Sequence, residues 1–169
     1  QRQMCIRDRY SIITLMAIAM LFPITAFAQA YVQTWDLVDS GKHLDYDGNS
    51  TYMSYINTGA ATWNAYKSGV IRKDSAFVVE DVYVSDVNAS NGWAGMTYSS
   101  GKIELNTYYM SGYSNSKKQN VATHELGHAL GLDHSTSTDV MDAAITGHTS
   151  TQALSQNDKD SYDAAYNNY

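Results

Sequence analysis

Proline and cysteine each occur once in these 169 residues, at Pro23 and Cys5, and both lie before residue 29. From Gln29 onward no disulfide can staple the chain and no proline stiffens a turn, so stability must come from a core, from bound metal, or from both. Basic side chains are scarce as well. Lys and Arg number 11 against 17 Asp and Glu; without Arg2, Arg7, Arg9 and Asp8, eight bases face sixteen acids, a net charge near −8. Such a surface argues against nucleic acid or an anionic membrane as partner. The longest apolar run, Ser11 to Phe22, is too short to span a bilayer comfortably.

That run, "SIITLMAIAMLF", continues through Pro23 to Ala26-Phe27-Ala28, the layout of a secretory signal in which small residues follow an apolar core. Ahead of it, Gln3 to Arg9 ("QMCIRDR") resembles the translation of a transposase adapter used in sequencing libraries, so residues up to about Arg9 read as non-native. The expectation is a leader over residues 1–28. Residues 29–169 are then one domain with a real core, secreted and extracellular, monomeric, and away from any membrane once the signal is cleaved.

Tyr52, Ile56, Trp63 and Tyr66 recur at helical spacing, with Asn49 or Ser50 available as N-cap, and predict a first amphipathic helix ending before Gly69. The period then changes. "GVIRK", "EDVYVSDV", "GWAGMTY" and "KIELN" read as successive short strands, and the alternation of Val82 and Val84 with Asp81, Tyr83 and Ser85 predicts one buried face. Helix returns in "SKKQNVATHELGHALG", opened by a capping-box pattern at Ser116 and Gln119 and stopped at Gly131. A last helix is predicted from Ser155 and Asp158, another capping-box pattern, with Tyr162, Ala165, Tyr166 and Tyr169 as its stripe.

Three of the five histidines fall in "THELGHALGLDHS", Thr123 to Ser135. On a helix His124 and His128 stand one turn apart on one face, so both imidazoles can reach one ion. Gly131 lets the chain turn, and His134 can supply a third nitrogen. Three protein ligands leave a fourth position open, which is the arrangement of catalytic rather than structural zinc. Glu125, beside the first histidine, can act as general base and acid without being a ligand. The full pattern His-Glu-x-x-His-x-x-Gly-x-x-His should arise by chance on the order of once in a hundred thousand such chains.

"HELGHALGLDH" resembles the zinc-binding signature of the metzincin metallopeptidases, and further features are similar to the matrixin branch. "DVM", Asp139 to Met141, stands where metzincins carry the Met-turn, which implies Met141 as the methionine beneath the metal. "LSQNDKD", Leu154 to Asp160, is similar to the opening of the matrixin C-terminal helix, and "GAATWN", Gly59 to Asn64, to the first helix. The resemblance, spanning about Leu44 to Tyr166, implies an α+β fold: a twisted mixed sheet with three helices and zinc at the floor of the cleft. It also implies a zinc endopeptidase acting on polypeptide by zinc-activated water. The edge strand would be Gly92 to Ser99, with Trp93, Ala94, Gly95, Met96, Thr97 and Tyr98 as a rail whose unpaired backbone groups take an extended peptide.

Departures from the family pattern are equally specific. No native cysteine is present to cap the metal, so latency by a cysteine switch is not expected. Only His43 precedes the active-site helix, so a second, structural zinc site is not expected either, and His43 and His148 read as surface residues. After Met141 the sequence "DAAITGHTS" lacks the Pro-x-Tyr wall of matrixins, and residue 143 is Ala143 rather than a ligating tyrosine. "DYDGN", Asp45 to Asn49, with Asp81 and Asp86, offers hard oxygen ligands for calcium, but the spacing completes no calcium loop and a solvated acidic face is the preferred reading. Two other functions use the same residues. One is a zinc-stabilised protein that holds peptide or cell-wall material without turnover, and the other a hydrolase of cell-wall cross-links.

Overall fold

The computed structural model describes residues 29–75, 79–144 and 147–169. The expectations for the leader, residues 1–28, lie outside the described residues. Five strands form one sheet in the order β2-β1-β3-β5-β4: β1 Leu44–Gly48, β2 Ile71–Lys73, β3 Val82–Val87, β4 Gly95–Tyr98 and β5 Lys102–Asn106. β1, β2, β3 and β5 run parallel, and β4 is antiparallel on β5 with Gly95 opposite Leu105 and Thr97 opposite Ile103. A mixed sheet of this kind is covered by helices on its apolar face. The alternation predicted for β3 is observed, Val82 and Val84 being fully buried while Tyr83 faces solvent.

Among the described residues four helices accompany the sheet rather than three: α1 Met53–Asn64, α2 Thr107–Met110, α3 Asn115–Ala129 and α4 Gln156–Tyr166. The additional one, α2, is a single turn capped by the Asn106 side chain, which accepts from the Tyr108 amide. α1 is not capped by a residue at its own N-cap position. Instead Asp86 in β3 accepts from the Thr51 amide at 2.9 Å, and Ser50 Oγ from the Tyr52 amide at 3.0 Å. α3 starts ahead of the predicted Ser116, because Ser114 takes the cap by accepting from the Lys117 amide. α4 begins with the predicted capping box of Ser155 and Asp158.

The helices meet where glycine permits it. A Cβ on Gly59 of α1 would lie 3.1 Å from the Thr123 Cα of α3, so the two helices pack at backbone distance. Trp63 seals this contact, its indole N–H donating to the Thr123 carbonyl at 2.9 Å and its ring standing edge-on to Tyr162 of α4. From Gln119 to Leu130 every residue of α3 and its C-cap is buried, so this helix is the axis of the core.

The acidic residues considered for calcium are not a solvated face. Asp45 is 2% exposed and takes the Arg72 Nε–H at 2.9 Å. Asp81 accepts from the Asp45 amide, and Asp86 accepts from the amide and hydroxyl of Thr51 just ahead of α1. These carboxylates tie the strand ends together.

Candidate active site

Three imidazoles converge at the C-terminal end of α3. His124 and His128 lie on successive turns, and Gly131, at φ +85°, turns the chain so that His134 returns across them. A positive φ is costly for any residue with a Cβ, which explains glycine there. One nitrogen from each ring lies within 4.8 Å of the others, and His128 Nε2 is 3.1 Å from His134 Nε2.

The outer ring atoms fix how the inner ones behave. His124 Nδ1 is 2.9 Å from the Val140 carbonyl and His128 Nδ1 is 2.8 Å from the Leu132 carbonyl. A carbonyl only accepts, so His124 Nδ1 carries the proton and its Nε2 keeps a lone pair facing the cluster. His128 Nδ1 stands between the Leu132 carbonyl, which accepts, and the Gln33 side-chain nitrogen Nε2 at 2.8 Å, which donates. Burial, reinforced by the neighbouring imidazole of His128, lowers His124 to about 3 against the pull of the Val140 carbonyl. Burial lowers His128 too. Neutral imidazoles with convergent ring nitrogens, and no thiolate or carboxylate among them, fit zinc.

Glu125 is 4% exposed and stands at the wall of the same cleft. Burial raises its carboxyl to about 7, and the Thr97 hydroxyl, donating to Oε2 at 2.7 Å, opposes that rise. Gly95 makes room for the carboxylate, since a Cβ there would strike Glu125 Oε1 and lie 2.7 Å from its Cγ. Gly95→Ala is therefore expected to displace the carboxylate and lower turnover roughly ten- to hundred-fold with the fold intact. Peptide hydrolysis beside a circular dichroism spectrum checks this.

Below the imidazoles, Met141 reaches the underside of α3. A Cβ on Gly127 would collide with Met141 Sδ and lie 2.9 Å from the Trp63 ring, so the glycine inside "HELGH" is what lets the methionine approach. The turn is anchored from α4, where the buried Asp158 carboxylate accepts from the amides of Val140, Met141 and Ser155 at 3.0, 3.2 and 2.8 Å. Asp139 is buried beside it. Burial works against its charge, but the neighbouring Ser155 hydroxyl and the donors Thr136 Oγ1 at 2.8 Å and Asn157 Nδ2 at 3.1 Å outweigh burial and hold the carboxyl at about 2. A carboxyl held below its ordinary 3.8 stabilises the fold above about pH 4, and this contribution fades as pH falls toward 2. Asp139→Asn should thus be less stable than the parent by about 2 kcal/mol near pH 6. Unfolding curves of the two should converge by about pH 2.

The cleft above the imidazoles encloses about 480 Å³. Of the predicted rail, Trp93 to Thr97 line it and Tyr98 does not; the Tyr98 hydroxyl donates to Glu104 instead. Gly92, from the predicted edge strand, lines it too, as do Gln33, Tyr113, Ala143 and Ala144, which carry no local signal in the sequence. His43 is half-exposed, as expected, beside Asp39. His148 is not a surface residue. It is 8% exposed and pairs with Asp142 at 3.0 Å, closing the loop that follows Met141.

A family model described as Matrixin matches residues 25–167. Among solved structures, "Structure of Myroilysin" shares 14% identity at a TM-score of 0.52, over 82% of this chain and 89% of that one. "Crystal structure of myroilysin" shares 14% over 84% and 93%, at a TM-score of 0.49. No curated protein matches. Residues 25–167 carry the matrixin pattern from the first strands to the last helix, and the α+β fold is that of a metzincin catalytic domain: the chain belongs to the matrixins, a family of zinc metallopeptidases.

Proposed function

We propose that this chain is a secreted zinc-dependent endopeptidase in which His124, His128 and His134 hold one catalytic ion, Glu125 is the general base and acid, and Met141 forms the base of the site. The observation that carries the reading is the position of Glu125. Its buried carboxylate borders the open cleft beside the imidazole cluster, with no cation paired to it among the described residues, so it is free to handle a proton. When bound, zinc acidifies water and polarises a carbonyl oxygen. The chain supplies the rest. Glu125 takes the proton of the attacking water and passes it to the amine that departs as the C–N bond breaks. β4, an edge strand, leaves one row of backbone groups to align an extended polypeptide, which needs few side-chain contacts.

Export is the reading of the apolar run before Ala28, residues 29–169 being the catalytic domain. No helix among the described residues is long and apolar enough to cross a membrane. The intact mass of the exported product should correspond to a chain starting near Gln29. Activity is tested by incubating purified, zinc-loaded residues 29–169 with casein. Fragmentation supports the reading; an intact substrate beside a folded, zinc-loaded protein would favour a binding role.

A further inference from the structure

We propose that Thr97 is a positioning residue for the Glu125 carboxylate, an inference that rests on the peptidase reading. A glutamate side chain has three rotatable bonds, so a base on the wall of an open cleft keeps one geometry only if something holds its tip. Thr97 Oγ1 lies 2.7 Å from Glu125 Oε2 and 2.9 Å from the Glu125 backbone carbonyl oxygen. One hydroxyl therefore spans the head and the root of the same residue. The hydroxyl has one proton and both of these oxygens accept, so it donates to one of them at a time while staying within 3 Å of the other.

Thr97 is itself fixed. It is 9% exposed, and β4 pairs with β5 so that Gly95 and Thr97 face Leu105 and Ile103, both fully buried. Successive strand residues alternate faces, so Gly95 and Thr97 both point toward α3. Gly95 leaves the space and Thr97 supplies the hydrogen bond, and the carboxylate lies between the bare Cα of one and the hydroxyl of the other. A threonine suits this role because branching at Cβ stiffens χ1.

The test compares Thr97→Val, which keeps the shape and removes the hydroxyl, with Thr97→Ser, which keeps the hydroxyl, on a fluorogenic peptide taken from a casein cleavage site. Thr97→Val should lose about ten- to hundred-fold in kcat with KM and zinc affinity by chelator competition unchanged, and Thr97→Ser should recover most of the loss. Full kcat in Thr97→Val would overturn the proposal, as would a loss matched by weaker zinc binding. If Thr97→Val does not fold, Thr97→Ala carries the same expectations. A crystal structure of the folded variant gives a readout independent of hydrolysis. Glu125 should occupy a different or second rotamer while the three histidines stay in place; a single unchanged rotamer contradicts the proposal even if wild-type protein cleaves nothing. Wild-type inactivity alone would instead count against the peptidase reading.

Discussion

Replacing Glu125 by Ala is expected to lower peptide hydrolysis at least a hundred- to ten-thousand-fold, the range a positioned acid/base supplies, while zinc stays bound and the fold is kept. Both halves of this expectation come from the geometry. The carboxylate borders the cleft rather than the imidazole nitrogens, so its loss should not empty the metal site. Its burial in the folded chain is unfavourable to its charge, as its rise to about 7 records, so truncation removes a strained group rather than a structural one. Hydrolysis rates, zinc content by metal analysis and melting temperature, measured on one preparation, check all three statements. Full activity in the variant would remove Glu125 from the mechanism.

The largest loss of stability is expected at a residue that touches neither cleft nor metal. Asp158 is fully buried and satisfies three backbone amides: Ser155 at the start of α4, and Val140 and Met141 in the turn below the imidazoles. Asp158→Ala strands the Val140 and Met141 donors where water cannot reach them and leaves the half-buried Ser155 amide to solvent, and each buried unpaired group costs about 1–3 kcal/mol. Since the costs are not additive, the expected loss is about 3–5 kcal/mol by urea unfolding. Because Val140 also accepts from His124 Nδ1, any surviving folded variant should bind zinc more weakly, about ten-fold or more. Unchanged stability would mean that the Met141 turn is held by something other than α4.

How much of this was legible in the sequence depended on how far apart the partners are. His124, His128, Gly131 and His134 are read together because helical spacing and one turn set their geometry within eleven residues. The capping box of α4 and the alternation in β3 are local for the same reason, and all of these are present in the structure. Contacts across long separations left no such trace. Asp86 accepts from the Thr51 amide 35 positions away, so its neighbours in the sequence suggest a solvated acidic face instead. Gln33 reaches His128 across 95 positions. Thr97 was grouped with a substrate rail because strand residues near a cleft look alike in sequence; only the pleat decides that it faces Glu125 while Tyr98 faces Glu104. His148 looked like a surface histidine since nothing local reveals that Asp142 folds back onto it in the buried turn.

On the proposed reading, one zinc ion held by His124, His128 and His134 makes this chain a peptidase. The most direct test is to strip residues 29–169 with a chelator and titrate zinc back while following casein cleavage. Without metal no cleavage is expected; recovery should rise linearly and saturate at one zinc per chain, and should be absent when His128 is replaced by Ala. Cleavage that survives chelation, or that returns equally in the His128 variant, would contradict it.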